Sequence, residues 1–140
     1  TQEIEEWKAE KYERQLQIAR DAVAKYPNDP LLHFSLGEIL FERGLIDEAQ
    51  SEFQLAQRQP NKRLACINYL GLCFQHKGMH DLAISQFQKA ASEMPSMDAL
   101  KKDTLYNLGT ALEQAGKHEE AVEAFKQIYQ VDFNFRDVKK

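Results

Sequence analysis

His76 and His80 are the residues whose spacing comes closest to that of a metal site in this 140-residue chain. Ligands four residues apart share one face of a helix, and a zinc site needs three or four of them. Gly78 lies between the two histidines and should end the helix there, and no acidic residue or cysteine is placed to complete a ligand set. We therefore predict no metal and no cofactor.

The two cysteines, Cys66 and Cys73, are the other reactive side chains to consider. Seven residues on one helix separate them by roughly 10 Å, which is too far for an undistorted disulfide. We interpret both as small core residues. Free thiols favour a reducing compartment, so a cytoplasmic location is expected.

Neither catalysis nor binding to polyanions has support in the sequence. The chain contains no glycine-rich phosphate loop, no nucleophile motif and no carboxylate pair in an apolar setting, so we predict that it is not an enzyme. The net charge is -4 without any Lys/Arg-rich run, which speaks against nucleic acid as a partner. No apolar run approaches the ~20 residues that span a bilayer, so no membrane insertion is expected.

Glycine and proline divide the chain into short amphipathic segments that must position any site. Helices are predicted over approximately residues 3–26, 30–43, 46–59, 62–77, 80–93, 97–115 and 117–130. Loops of two to four residues join the later helices in pairs, which predicts antiparallel hairpins. Because the chain begins directly in a charged helical pattern, we expect it to belong to a longer protein.

The hairpins repeat. The mid-helix glycines Gly37, Gly71 and Gly109 are separated by 34 and 38 residues. The same offsets relate the helix-ending glycines at 44, 78 and 116, the alanines at 49, 83 and 121, and the phenylalanines at 53, 87 and 125. A side chain at the mid-helix glycines should push a neighbouring helix away, and the phenylalanines should fill the space between repeats. Such hairpins cannot bury their apolar faces alone, so the copies must stack.

This pattern of Leu-Gly followed by Ala and Phe resembles the tetratricopeptide repeat. The resemblance implies an all-α fold, a right-handed superhelix built as a solenoid of antiparallel helix pairs. Residues 1–29 then form a long helix from a partial preceding repeat, 30–63, 64–97 and 98–133 form three repeats, and 134–140 begin a truncated C-terminal capping helix. No tryptophan occupies the opening site of a repeat, and His33 fills that core site in the first one. A four-residue insertion before Leu105 should lengthen its helix, with Ser96 as the N-cap.

In this family the first helix of each pair resembles the lining of a concave groove. The implied groove residues are Phe34, Ser35, Glu38, Asn68, Tyr69, Leu72, Gln75, His76, Tyr106, Asn107 and Thr110. Their spacing of three and four places each set on one helical face. Aromatic rings offer apolar contact and amides can bond a peptide backbone. The alternative is that the aromatic rings only pack between adjacent helices.

The resemblance predicts a protein–protein interaction module, a scaffold or adaptor that binds a peptide or a helix of a partner. Family members that hold the C-terminal carboxylate of heat-shock chaperones use Lys, Asn and Arg. The matching sites here hold Phe34, Glu38, Tyr69, Asp103 and Asn107, and acids would repel a carboxylate. The chain is therefore not expected to be a carboxylate-clamp cochaperone.

Ile4 and Trp7 do not fit the repeat pattern. They either pack on the following helix pair or a missing upstream helix, or they form a self-association or partner site, giving a possible homodimer through the N-terminal helix. The alternative functions are accordingly a structural spacer, a self-association element, or a regulatory domain of a larger protein.

Overall fold

The computed structural model describes residues 1–136, and within this range it is helical with no strand. The α-helices are α1 Gln2–Lys25, α2 Pro30–Glu42, α3 Ile46–Ala56, α4 Arg63–His76, α5 His80–Ser92, α6 Ala99–Gln114 and α7 His118–Tyr129, with a 3-10 turn at Pro60–Lys62. The predicted all-α fold is confirmed, and each predicted helix is present. Residues 134–136 of the segment predicted to begin a capping helix lie in turns and a bend, and 137–140 lie outside the described residues.

The chain forms two compact units, Thr1–Arg63 and Leu64–Lys140. The first unit holds α1, α2 and α3. The carboxylate of Asp29 accepts a hydrogen bond from the Leu31 amide at 3.0 Å and so caps α2, with Pro30 as its first residue. Leu16 is the buried residue of α1, while Leu40 and Phe53 are almost completely buried in α2 and α3.

The glycines predicted to end helices have the backbone that such ends require. Gly44, Gly78 and Gly116 have φ values of 79°, 76° and 80°, the left-handed region in which other residues are strained. In the first turn the Leu45 amide donates to the Leu40 carbonyl at 2.9 Å, as in a Schellman motif. This tight reversal sends the second helix of each pair back along the first.

Each mid-helix glycine faces the phenylalanine sixteen residues later in the same hairpin. A Cβ atom built on Gly71 would lie 2.5 Å from Cε1 of Phe87, and one on Gly37 would lie 2.9 Å from Cε1 of Phe53. Gly109 is related to Phe125 in the same way, at 2.6 Å. The close approach predicted for these glycines is confirmed. The ring that requires it belongs to the same helix pair as the glycine.

The second unit holds α4 to α7 around a continuous apolar cluster. Phe87, Leu105, Leu112 and Ile128 are buried in or beside it. Cys66 and Cys73 are both completely buried, which confirms them as core residues.

The start of α6 corrects one prediction. The side chain of Asp98, rather than that of Ser96, caps the helix by accepting from the Lys101 amide at 3.0 Å. Ser96 lies two residues before Asp98, and its carbonyl oxygen accepts a hydrogen bond from the Asp98 amide at 2.9 Å. At 16 residues, α6 is longer than the 14-residue α4, as the insertion predicts.

Candidate functional site

The predicted groove residues of the first unit lie on α2. Phe34 is only 8% exposed; its ring packs edge-on against Phe53 with centroids 5.8 Å apart, and the ammonium of Lys62 lies 4.9 Å from its centroid. Ser35 is exposed and Glu38 is half-buried. Phe34 is therefore mainly a packing residue, and the other two offer the accessible surface of this set.

In the second unit the predicted residues lie on α4 and α6, and side-chain amides connect the two helices. The Nδ2 amide of Asn107 donates to Oδ1 of Asn68 at 3.1 Å, and Nε2 of Gln75 donates to Oε1 of Gln114 at 3.1 Å. Asn68 is 7% exposed, so little of it remains for a partner. The amides predicted to bind a peptide backbone are thus partly used to hold one helix beside the other.

The other predicted residues of α4 and α6 differ in how much of their surface is accessible. Tyr69, Leu72, Gln75, Tyr106, Asn107 and Thr110 are half-buried and His76 is exposed. The hydroxyl of Thr110 donates to the Tyr106 carbonyl oxygen at 2.9 Å within α6. We call the following set the α4/α6 face: Asn68, Tyr69, Leu72, Gln75 and His76 of α4, with Asp103, Tyr106, Asn107, Thr110 and Gln114 of α6. It combines aromatic, aliphatic and amide surface, which suits contact with another polypeptide.

Sequence reasoning assigned the segment after α7 to a capping helix and missed its contacts with a predicted groove residue. The Phe135 ring lies 6.2 Å from that of Tyr106, and the Arg136 guanidinium lies 4.6 Å from the Tyr106 centroid. Arg136 also forms an ion pair with Asp103 at 2.9 Å. Phe135 and Arg136 therefore lie against one end of the α4/α6 face. The signal available in the sequence was an aromatic residue followed by arginine, outside the repeat pattern.

The predicted self-association residues lie on α1. Ile4 is 53% exposed and Trp7 is 57% exposed, with the Lys11 ammonium 5.5 Å from the Trp7 ring. Most of the indole therefore remains accessible instead of being covered by the helix pair that follows.

Two further features bear on chemistry. Among residues 1–136, no three or more His, Cys, Asp or Glu side chains are grouped so that they could hold a metal ion. Over the same residues, no helix has the length and apolar content that a bilayer crossing requires.

Family models identify the class of protein. Two models described as tetratricopeptide repeat match residues 4–62 and 63–132. The chain belongs to the tetratricopeptide repeat family and is a module of the kind that mediates protein interactions.

Individual relatives are distant in sequence. The human protein O-mannosyl-transferase TMTC1 is 23% identical over 122 residues, which cover 87% of this chain but only 14% of that protein. A crystal structure of MamA superposes with a TM-score of 0.79 at 17% identity, covering 96% of this chain and 76% of MamA. The structure of YrrB, described as a TPR protein with an unusual peptide-binding site, gives 0.70 at 17% identity, with coverages of 86% and 60%. These structures share the fold.

Proposed function

We propose that this chain is an adaptor that binds a peptide or a helix of a partner protein along the α4/α6 face. The observation that carries the proposal is the pair of amide bridges between α4 and α6, Asn107 to Asn68 and Gln75 to Gln114. These bridges fix neighbouring helices so that Tyr69, Leu72 and Tyr106 are presented on a preformed surface. A surface that needs little ordering loses less free energy when a partner binds.

The polar groups on this face suit a polypeptide ligand. Two half-buried residues of α6, Asn107 and Thr110, carry hydrogen-bonding groups on this face. An amide can donate to and accept from a peptide backbone. Asp103 adds a negative charge at one end, which supports a partner other than a C-terminal carboxylate. Ser35 and Glu38 are proposed as a separate contact surface on the first unit.

The test compares two matched double variants of the second unit. Tyr69→Ala/Thr110→Ala removes contact groups from the α4/α6 face and leaves the amide bridges in place. Ser85→Ala/Gln88→Ala changes two exposed positions of α5 and serves as the control. Proteins captured by both the wild-type chain and the control are purified, and their affinity for each chain is measured by calorimetric titration. Their affinity for the first variant should be at least tenfold lower than for the wild-type chain, a loss of about 1.4 kcal/mol. Equal affinities in all three chains, with helicity unchanged, would reject the α4/α6 face as the binding site.

A second role, self-association, is favoured by the accessible Trp7 and Ile4 on α1. It involves a different element from the α4/α6 face, so the two roles are separable by substitution.

A further inference from the structure

Residues 132–136, which follow α7, are held against the start of α6 by four contacts within the second unit. The carboxylate of Asp132 lies 3.2 Å from the Lys102 ammonium. Phe135 contacts the Tyr106 ring at 6.2 Å, and Arg136 pairs with Asp103 at 2.9 Å while lying 4.6 Å from the Tyr106 centroid. We call these residues the C-terminal latch. Its aromatic and cationic side chains lie on a ring that belongs to the proposed binding face.

Asp103 and Tyr106 together have the chemistry of an arginine receptor. A carboxylate accepts hydrogen bonds from the guanidinium, and the face of an aromatic ring attracts the same delocalised cation. Arginine suits such a site better than lysine because its planar group can pair and stack at once. The residues assigned to the α4/α6 face include no lysine or arginine, so the charge supplied by Asp103 is not cancelled within that face.

The contacts of Arg136 are weak enough to be exchanged. The side chains of Arg136 and Asp103 are 46% and 41% exposed, and ion pairs this open to water contribute little to stability. Exchange with an arginine from another chain would therefore cost little.

The latch also carries backbone strain. Arg136 has a φ of 46°, and no other residue except glycine has a positive φ within residues 1–136. That conformation is unfavourable for a side chain with a Cβ atom. The backbone conformation of Arg136 is therefore unfavourable when its guanidinium lies on the Tyr106 ring, and release of residues 132–136 would relieve this strain.

A second aromatic ring at the equivalent repeat position also binds a cation. Phe34 precedes Gly37 by three residues, as Tyr106 precedes Gly109, and the Lys62 ammonium lies 4.9 Å from the Phe34 centroid. Phe34 is buried, whereas Tyr106 is only half-buried. Of these two rings, Tyr106 is the one that a partner's cation could reach.

We propose that Asp103 and Tyr106 form an arginine-receiving subsite, that Arg136 fills it in the free chain, and that a partner segment with arginine next to an aromatic residue displaces the C-terminal latch. The proposal rests on the proposed function, because the subsite is one end of the α4/α6 face. It specifies the partner as a segment that carries positive charge at this point.

The probe is a synthetic, end-blocked pentapeptide with the sequence of the latch, Asp-Phe-Asn-Phe-Arg, titrated into the ¹⁵N-labelled chain and followed by NMR. In the wild-type chain the C-terminal latch competes with the peptide for the subsite. The apparent affinity of the peptide is therefore reduced in proportion to the fraction of chains whose subsite is free. In Phe135→Ala/Arg136→Gly the subsite is vacated and the strain is relieved. We expect this variant to bind the peptide about tenfold more tightly than the wild-type chain. Adding Asp103→Asn to it should reverse the gain.

Two controls keep the outcome decisive. A peptide with glutamine in place of its arginine should show at least tenfold weaker binding, and Glu120→Gln, an exposed acid on α7, should leave affinity unchanged. If the double variant fails to fold, the single variant Arg136→Gln replaces it and should also bind the arginine peptide more tightly than the wild-type chain does. Equal binding by vacated and wild-type chains, or by both peptides, would overturn the latch. Suppose that the affinity of captured partners falls in Tyr69→Ala/Thr110→Ala but is unchanged by Asp103→Asn. That result would overturn the C-terminal latch and leave the proposed function intact.

Discussion

His33 is a buried residue whose hydrogen bonds require a charge. Its Nδ1 lies 2.7 Å from Oε1 of Glu52 and its Nε2 lies 2.6 Å from the carbonyl oxygen of Pro27. Both partners are acceptors, so only the protonated ring, with two N–H groups, satisfies both. Burial is the largest single influence and lowers the pKa of His33, with Arg58 acting in the same direction, but the hydrogen bonds to Pro27 and Glu52 and the charge of Glu52 outweigh them. The net result is a raised pKa.

This raised pKa predicts a pH-dependent stability. Because the folded pKa of His33 lies above the unfolded value of 6.5, its contribution is complete below pH 6.5 and is lost as pH rises through the folded pKa. We expect the free energy of unfolding to decrease above pH 6.5, with this residue contributing a slope of at most about 1.4 kcal/mol per pH unit. Urea denaturation from pH 6 to 9 measures it.

Two variants isolate the histidine responsible. His33→Gln should remove this part of the slope and lower stability at pH 6 more than at pH 9. The slope should persist in His118→Gln, which changes an exposed histidine of α7. If His33→Gln and the wild-type chain have parallel pH profiles, the ring is not held in its charged form.

The position of His33 could be predicted from the sequence, but its charge could not. The repeat register assigns it to the opening core site, and it is buried there. Its partners lie 6 and 19 residues away, and no periodic pattern relates Pro27 or Glu52 to it. A charge that depends on how a loop and another helix approach one side chain is specified only by the folded unit.

At the scale of the helix pair, the contact between Gly71 and Phe87 predicts the sign of a substitution. Replacing a mid-helix glycine by alanine ordinarily stabilises a helix by about 1 kcal/mol. Here the new Cβ would lie 2.5 to 2.8 Å from three ring atoms of a completely buried phenylalanine. We expect Gly71→Ala to destabilise the chain by about 1–3 kcal/mol, as overpacking does. Chemical denaturation provides the measurement.

A double-mutant cycle tests the cause of that loss. In a Phe87→Leu background the smaller side chain can make room for the methyl group, so the penalty of Gly71→Ala should shrink by roughly 1 kcal/mol or more. An identical penalty in both backgrounds would assign the cost to the helix itself and remove the ring from the explanation.

The alanines of the repeat pattern predict a second contrast. Ala83 is completely buried in the apolar cluster of the second unit, whereas Ala99 is exposed at the start of α6. Ala83→Leu must find room for three extra carbon atoms in a packed site and should cost about 1–3 kcal/mol. Ala99→Leu should stay within about 0.5 kcal/mol of the wild-type chain. Thermal unfolding of both variants measures this contrast. Equal melting temperatures would contradict the repeat register that places Ala83 in the core.

Most of the helical architecture could be predicted because it depends on short-range signals. Gly44, Gly78 and Gly116 mark three helix ends through a backbone conformation that other residues avoid. The start of α6 could not be predicted as well, because both Ser96 and Asp98 are acceptable caps. The choice between them depends on how the inserted residues fold against the end of α5.

At the scale of the whole molecule, the two helices of the candidate site could be predicted from the sequence. The hydrogen bonds and contacts that its residues already make within the chain could not. Periodicity places Asn68 and Asn107 on the corresponding faces of α4 and α6. That one amide would bond the other depends on two residues 39 positions apart. Phe135 and Arg136 lie on the Tyr106 ring. Because both residues lie outside the repeats, the repeat spacing does not predict this contact.

The face of α1 opposite to its buried residue, Leu16, predicts self-association of the whole chain. Trp7 and Ile18 are separated by eleven residues, which brings them within about 20° on one helical face, and they are 57% and 68% exposed. Leu16, nine residues after Trp7, points the other way and is buried. Exposed apolar side chains of this kind favour association. Lys11 and Arg14 lie between them on the same face and interrupt its apolar surface with charge. We therefore expect weak, concentration-dependent self-association, with a Kd of tens of micromolar or weaker.

Trp7 is the single tryptophan of the chain and therefore reports on this surface directly. Sedimentation equilibrium from micromolar to millimolar protein should show a rising average mass, accompanied by a blue shift of the tryptophan emission as the indole leaves water. Ile4→Lys should abolish both changes while keeping the reporter. Val122→Lys, at an equally exposed apolar position of α7, should abolish neither. A constant monomer mass with an unchanged emission maximum would show that this face does not bind a second copy, because apolar contact strong enough to join two chains must also dehydrate the indole.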